Sequence, residues 1–298
     1  MINDEVCRNI TPTRGLRQGD LLSLFLFLIC AEGLTSLIHQ AQIRGDISGF
    51  QCSRGGPVIT HLLFSDDSLI FTKDNDRNCV SIREILAVYG RATGQAINFA
   101  KSAMCISLSF SVLEGQTLAS RVGIKLVECH ENYMGLPCFT GRSKRKIFAS
   151  IVDRVWGKIK GWGEKLFSVA GKEILAKAVI QATPSYAMGM FLLPQALIKE
   201  IHRLCSRFWW GGNEKHTKIH WCTWKHLCKP KGEGGLGFQD LEISNRALLA
   251  KQCLRLLKNP NSLAGRVPKS CYYNEGSILD ATLKANGSYV WNSLILGK

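Results

Sequence analysis

Residues 61–73 read HLLFSDDSLIFTK, with Asp66 and Asp67 adjacent between two apolar runs. Two carboxylates on consecutive residues repel each other unless a cation is shared. Hard carboxylate oxygens suit Mg²⁺ or Mn²⁺, ions usually held by one or two carboxylates and completed by water and substrate phosphates. The chemistry this pair points to is phosphoryl transfer. The competing reading is an exposed turn in which the two acids make only Asx hydrogen bonds to nearby backbone.

The elements that must hold the pair are legible on either side of it. VITHLLF at 58–64 and SLIFTK at 68–73 read as strands, GGP at 55–57 as a turn and GFQCSR at 49–54 as a further strand, so the acids sit at the bend of a β-hairpin. Upstream, Asp20 stands at an N-cap position before the apolar segment Leu21 to Ala41, whose density predicts a helix covered on most sides and ended by Gly45 and Gly49. Its most apolar part, LLSLFLFLICA at 21–31, is shorter than a bilayer span and runs into Glu32, which predicts a buried helix and no membrane segment. Downstream, Val80, Ile82, Ile85, Leu86 and Tyr89 recur at helical spacing until Gly94, and QAINFAKSAMCISL at 95–108 reads as a strand. The first half is therefore expected to be α+β.

The second half differs in charge and pattern. Between Arg142 and Lys177 ten basic residues face three acids, a large share of the +15 that the 298-residue chain carries. Ile151, Val155, Trp156, Ile159 and Trp162 recur at helical intervals among them, as do Ile174, Leu175, Ala178, Val179 and Ala182. Amphipathic helices with a basic face are the expectation, and nucleic acid is the commonest intracellular partner of so basic a chain. A solvated face with no partner is the bland alternative, as is core packing for Trp156 and Trp162. Phe208 to Phe238 is rich in Trp, Gly and Lys and reads as irregular, followed by a helix from about Ser244. His216, His220, Cys222, His226 and Cys228 crowd this stretch, but without a C-x-x-C knuckle a packed element around Trp221 and Trp224 is expected in place of zinc. Twelve cysteines without paired spacing, and acids at Asp4 and Glu5 where a signal peptide needs basic residues, predict an intracellular protein, nuclear or cytoplasmic and not secreted.

Four segments carry a resemblance. RGLRQGDLLSLFLF at 14–27, FSDD at 64–67, TGQAINFAKS at 93–102 and YMGLP at 133–137 occur in the order found in reverse transcriptases of non-LTR (LINE-type) retroelements. LFSVAGKEILAKAVIQATPSYAM, FWWGG, KIHWCTWKHLCKPKGEGGLGFQDL and ALLAKQCLRLL resemble the region after the palm in plant members, so the resemblance covers essentially the whole chain. It implies a partial polymerase palm at 1–138, an antiparallel sheet with helices; a basic helical thumb at 139–205; and a Trp/Gly-rich and helical C-terminal region at 206–298. It further implies Asp66 and Asp67 as ligands of Mg²⁺ or Mn²⁺ in two-metal nucleotidyl transfer. Arg14, Gln18 and Gly19 would lie along template and incoming nucleotide, Lys101 near the nucleotide phosphates, and Lys144, Arg145, Lys146, Lys158, Lys160, Lys165 and Lys172 on duplex phosphates. The implied partners are an RNA template, a DNA primer and deoxynucleoside triphosphates.

The departures are specific. Leu21 and Leu24 stand where the family has prolines, and Ser65 where it has alanine. The family carries another metal-binding aspartate on a palm strand well before the RGLRQGD segment, and only thirteen residues precede Arg14 here. The chain therefore resembles the C-terminal part of a reverse transcriptase, catalytically incomplete alone. The alternatives are a non-catalytic nucleic-acid-binding remnant and a structural relic without a partner.

Overall fold

The computed structural model describes residues 19–107, 110–127, 132–133, 136–137, 144–162, 167–211 and 218–298. Helices and short strands are mixed, and the described residues fall into two compact units: 19–51 with 58–127, and 52–57 with 132–298. The implied boundary at 205 falls inside the second unit.

In the first unit, α1 (Leu21–Ile43) starts where expected, the Asp20 carboxylate accepting from the Leu22 amide at 2.9 Å. Strands β1 (Phe50–Gln51) and β2 (Val58–Ile59) pair antiparallel, as do β3 (His61–Phe64) and β4 (Asp67–Ile70). Helix α2 (Asp76–Thr93) is capped by Asn75 and ends on Gly94 at φ 73°, the left-handed geometry that glycine adopts without strain. Strand β5 (Ala103–Met104), α3 (Val112–Val122) and β6 (Lys125–Leu126) form a parallel crossover. The core is formed by Leu34, Ile38 and Ala41 of α1 with Ile82, Ile85 and Tyr89 of α2, and Leu63 and Ile70 of the hairpin pack on it.

Two features of this unit depart from expectation. The helix α1 is not covered on most sides: Leu34, Ile38 and Ala41 are its buried residues, whereas Leu21, Leu24, Phe25, Leu28 and Ile29 are exposed, Phe25 by 62%. The core of the unit reaches only its C-terminal half. By length and composition the whole helix is also apolar enough to cross a membrane, which the shorter 21–31 run is not. The strand expected at 95–108 shrinks to β5, because Asn98 closes a turn, its side chain and carbonyl accepting from the Lys101 amide and its carbonyl from Ser102 Oγ. Each sheet among the described residues has two strands.

The second unit is mainly helical. After the antiparallel pair β7 (Asn132–Tyr133) and β8 (Leu136–Pro137) come α4 (Lys144–Ile147), α5 (Ala149–Trp162), α6 (Val169–Leu175), α7 (Ser185–Met188), α8 (Gln195–Trp210), α9 (Trp224–Leu227), α10 (Leu241–Lys258), α11 (Leu263–Tyr272) and α12 (Tyr289–Gly297). Ile151, Val155 and Ile159 are buried against Ile201, Leu204, Cys205 and Phe208 of α8, as the spacing on α5 predicts. The face expected between Ile174 and Ala182 is displaced. Ala176 and Ile180 are buried and Ile174 is exposed, because a π-helical turn over Ala176–Ile180 adds a residue per turn and shifts the apolar register.

Buried amides tie this unit together. The Gln181 side chain donates to the Gln239 carbonyl at 2.8 Å and accepts from the Gln239 amide at 3.2 Å. Asn245, fully buried on α10, accepts from the Leu193 amide and donates to the Met188 and Phe191 carbonyls at 2.7–2.9 Å. It thereby holds the 188–193 connection between α7 and α8.

Candidate functional site

The hairpin closes in two residues. Phe64 pairs with Asp67 as the last rung of the ladder, leaving Ser65 and Asp66 as the loop. Among the described residues Ser65 is the one non-glycine with positive φ, at 50°. A tight two-residue turn that matches strand twist needs positive φ at its first central position, where glycine is the unstrained choice. Asp66 thus lies in the turn and Asp67 opens β4, so the two carboxyl groups leave consecutive residues at the very tip, and both residues are exposed. Of the apolar runs on either side of the pair, Leu63 and Ile70 pack inward, while Leu62 and Phe64 face outward.

What anchors the hairpin is a residue that the sequence reading passed over. The half-buried His61 ring lies 3.0 Å from Thr60 Oγ1 through Nδ1 and 3.3 Å from Thr35 Oγ1 of α1 through Nε2. Burial lowers its pKa, against an opposing pull from Glu32, and so favours a neutral ring bonded to two hydroxyls. A histidine facing a threonine 26 residues away has no local pattern to betray it.

The acid pair offers hard oxygen donors and open surroundings, which suits one Mg²⁺ or Mn²⁺ whose remaining positions are filled by water and phosphate oxygens. No group of three His, Cys, Asp or Glu residues able to hold a metal exists among the described residues, so a second ion would need donors from elsewhere. Gly19, at φ 90°, turns the chain into the Asp20 cap, and no atom lies near enough to crowd a Cβ there. Lys101 is exposed on the turn after α2. Arg14, Gln18 and Lys165 lie outside the described residues, as do the side chains of Arg145 and Lys146.

The remaining basic positions do not form one uniform face. Lys158 and Lys160 are exposed on α5, Lys158 Nζ reaching Thr183 Oγ1 at 3.2 Å. Lys144 Nζ stands 4.3 Å above the Tyr289 ring. Lys172 is half-buried, its ammonium 3.5 Å from the Trp209 carbonyl near the end of α8, where a cation offsets the helix dipole. Arg207 lies over the Trp156 ring at 4.5 Å, which assigns that tryptophan to packing.

In the His/Cys stretch, Trp224 packs as expected, stacked on Phe238 at 4.8 Å, but Trp221 is 79% exposed. His220 lies 3.3 Å from Ser206 Oγ through Nδ1 and stacks on Trp210. Burial pushes the Cys228 thiol up to about 11 and the Cys205 thiol to about 12, which favours inert thiols over thiolate ligands.

No family model matches the chain. It is 36% identical over 165 residues to the putative ribonuclease H protein At1g65750 of Arabidopsis thaliana, covering 54% of this chain and 26% of that protein. The chain thus spans about a quarter of that relative's length. A second Arabidopsis relative, the uncharacterized mitochondrial protein AtMg01250, is 51% identical over 59 residues, covering 20% of this chain and 48% of the relative. A third, the uncharacterized mitochondrial protein AtMg00310, is 41% identical over 118 residues, covering 39% of this chain and 77% of the relative. With more than three quarters of that protein matched at such identity, the chain belongs to the family of the Arabidopsis mitochondrial protein AtMg00310.

Proposed function

We propose that the chain is the C-terminal part of the RNA-directed DNA polymerase of a plant non-LTR retroelement. The observation that carries this reading is the hairpin tip, where a two-residue turn with Ser65 at positive φ presents Asp66 and Asp67 side by side to solvent. The relatives, typical of plant retroelement-derived reading frames, support it, one of them bearing ribonuclease H in its name. Asp66 and Asp67 would hold Mg²⁺ or Mn²⁺, which when bound would supply activation of a primer 3′-hydroxyl and charge stabilisation of leaving pyrophosphate. Lys101 and Gly19, with Arg14 and Gln18, would border nucleotide and template. Residues 139–205 would act as the thumb on an RNA–DNA duplex, inside the cell.

Two carboxylates are fewer than two metal ions need, so turnover depends on a further acid from outside the described residues. The exposed Leu21, Leu24, Phe25 and Leu28 fit the same picture: in a longer protein they would be covered by further palm structure, not by lipid. Flotation of the chain with liposomes would speak against that.

Primer extension on an RNA template with Mg²⁺ or Mn²⁺, comparing wild type with Asp66→Ala, tests the catalytic form. Product that disappears in the variant shows that the chain supplies every catalytic acid itself; no wild-type product is the outcome expected if the further acid comes from elsewhere, and Mn²⁺ binding in the presence of duplex that is equal in wild type and Asp66→Ala then overturns the reading. The second reading, a non-catalytic nucleic-acid-binding chain, is favoured by the exposure of Lys158 and Lys160 on one helix. Neutralising both to Gln should flatten the slope of log K against log salt by about 1 to 2 on duplex. An unchanged slope removes α5 from the interface.

A further inference from the structure

Within the second unit, the loop 52–57 and α11 enclose an open cleft of about 350 Å³, near the lower end of the roughly 300–1,000 Å³ usual for ligand sites. Its charged lining is entirely basic: Arg54 from the loop, and Arg266 and Lys269 one helical turn apart on α11. Ser270 and Asn274 add polar groups, and no carboxylate lines it. None of the three cations has an ion-pair partner among the described residues. Three like charges facing one concave space repel one another, and an anion entering it relieves that repulsion.

The loop also packs closely against the helix. Gly55 has φ 78°, and a Cβ added to Gly56 would stand 2.7 Å from Ser270 Oγ and 2.6 Å from Ser53 Oγ, so the loop backbone lies directly on α11. With its amide oriented to satisfy both groups, Asn274 donates to the Ser270 carbonyl at 3.0 Å and to the Lys269 carbonyl at 3.3 Å, steadying the last turn of the helix. The Ser53 hydroxyl is buried and has no hydrogen-bond partner. Closely packed backbone and polar side chains surround three cations that have no ion-pair partner among the described residues.

We propose that Arg54, Arg266 and Lys269 form a phosphate-binding cleft. Guanidinium groups pair with phosphate oxygens through two parallel N–H donors, and the lysine adds a mobile point charge. The phosphate belongs either to a polynucleotide backbone or to a small polyphosphate, both of which present the same oxygens. The inference does not rest on the polymerase reading, since such a cleft serves a chain without catalysis equally well.

The test uses the full chain and a variant carrying Arg54→Gln, Arg266→Gln and Lys269→Gln. Its control carries Lys225→Gln, Lys251→Gln and Lys258→Gln, which remove the same net charge from exposed positions away from the cleft. An RNA–DNA hybrid is titrated by fluorescence anisotropy from 50 to 300 mM salt, and pyrophosphate by calorimetry. If the cleft holds backbone phosphates, the salt slope of the cleft variant falls by about 2 to 3 and that of the control by less than half as much. If it holds a small polyphosphate, pyrophosphate binding weakens at least tenfold in the cleft variant while the hybrid slope stays with the control. A cleft variant that matches the control with both probes overturns the proposal. All six residues are exposed, and matching circular dichroism and melting curves verify folding. Neither titration needs turnover, so absent polymerisation leaves this inference intact, and an unchanged titration leaves the polymerase reading intact.

Discussion

Asn245 is the most informative position at which to perturb the second unit. It is fully buried on α10, and its three hydrogen bonds satisfy the Leu193 amide and the Met188 and Phe191 carbonyls, all from the connection into α8. In Asn245→Ala these three backbone groups lose their partner away from water. A net loss of about 1 kcal/mol per bond sets the lower bound, and a penalty of about 1–3 kcal/mol for each group left unsatisfied sets the upper one. Partial relaxation places the expected cost at about 3–5 kcal/mol, read by urea unfolding. Asn245→Asp separates hydrogen bonding from volume: the carboxylate still accepts from Leu193 but faces two carbonyl oxygens. Those acceptors and the burial raise its folded pKa above the unfolded value, so the variant regains stability relative to wild type as pH falls from 8 to 5. Asn245→Ala has no titrating group and should track wild type over that range. A cost below 1 kcal/mol for Asn245→Ala, or an Asp variant that parallels wild type with pH, would refute the assignment of this amide as the tie between α10 and α8.

Two further outcomes are expected. Ser65→Gly removes positive-φ strain from the hairpin turn and should raise the stability of the first unit by about 1 kcal/mol, whereas Ser65→Val should lower it, both measurable by amide hydrogen exchange on β3 and β4. His202 accepts from the Leu241 amide at 3.1 Å, and burial lowers its pKa against the opposing pull of Asp240 and Glu242. A lowered histidine pKa means that the unfolded chain binds the proton more readily, so this contribution is complete above the unfolded value of about 6.5 and is lost as pH falls below it. In His202→Gln, chemical denaturation between pH 7.5 and 5 should show a shallower loss of stability than in wild type.

Local elements were legible because their causes are local. Asp20 before an apolar run, Gly94 after a helical period, and FSDD between two short strands each act through neighbours a few residues away, and α1, α2 and the β3–β4 hairpin lie where those signals put them. Helix α3 carried an equally local signal, the Ser111–Glu114 capping box, which the sequence reading did not use. The π turn at Ala176–Ile180 defeats a fixed helical period, so the buried face of that segment could not be read from spacing.

Exposure and long-range partnership arise only once the chain has packed. Composition marks 21–43 as apolar but cannot say that the core covers only its second half. Charge counting collects Lys172 with Lys158 and Lys160, although packing sends Lys172 to the end of α8 and leaves the other two in solvent. Arg54 lies more than two hundred residues from Arg266 and Lys269, and only folding puts them around one cleft. Where two acids meet at a turn and where helices begin follow from the order of residues, since those depend on backbone geometry over a few positions. Which charges share a space was settled by chain folding, because electrostatic neighbours are set by distance through space and not along the chain.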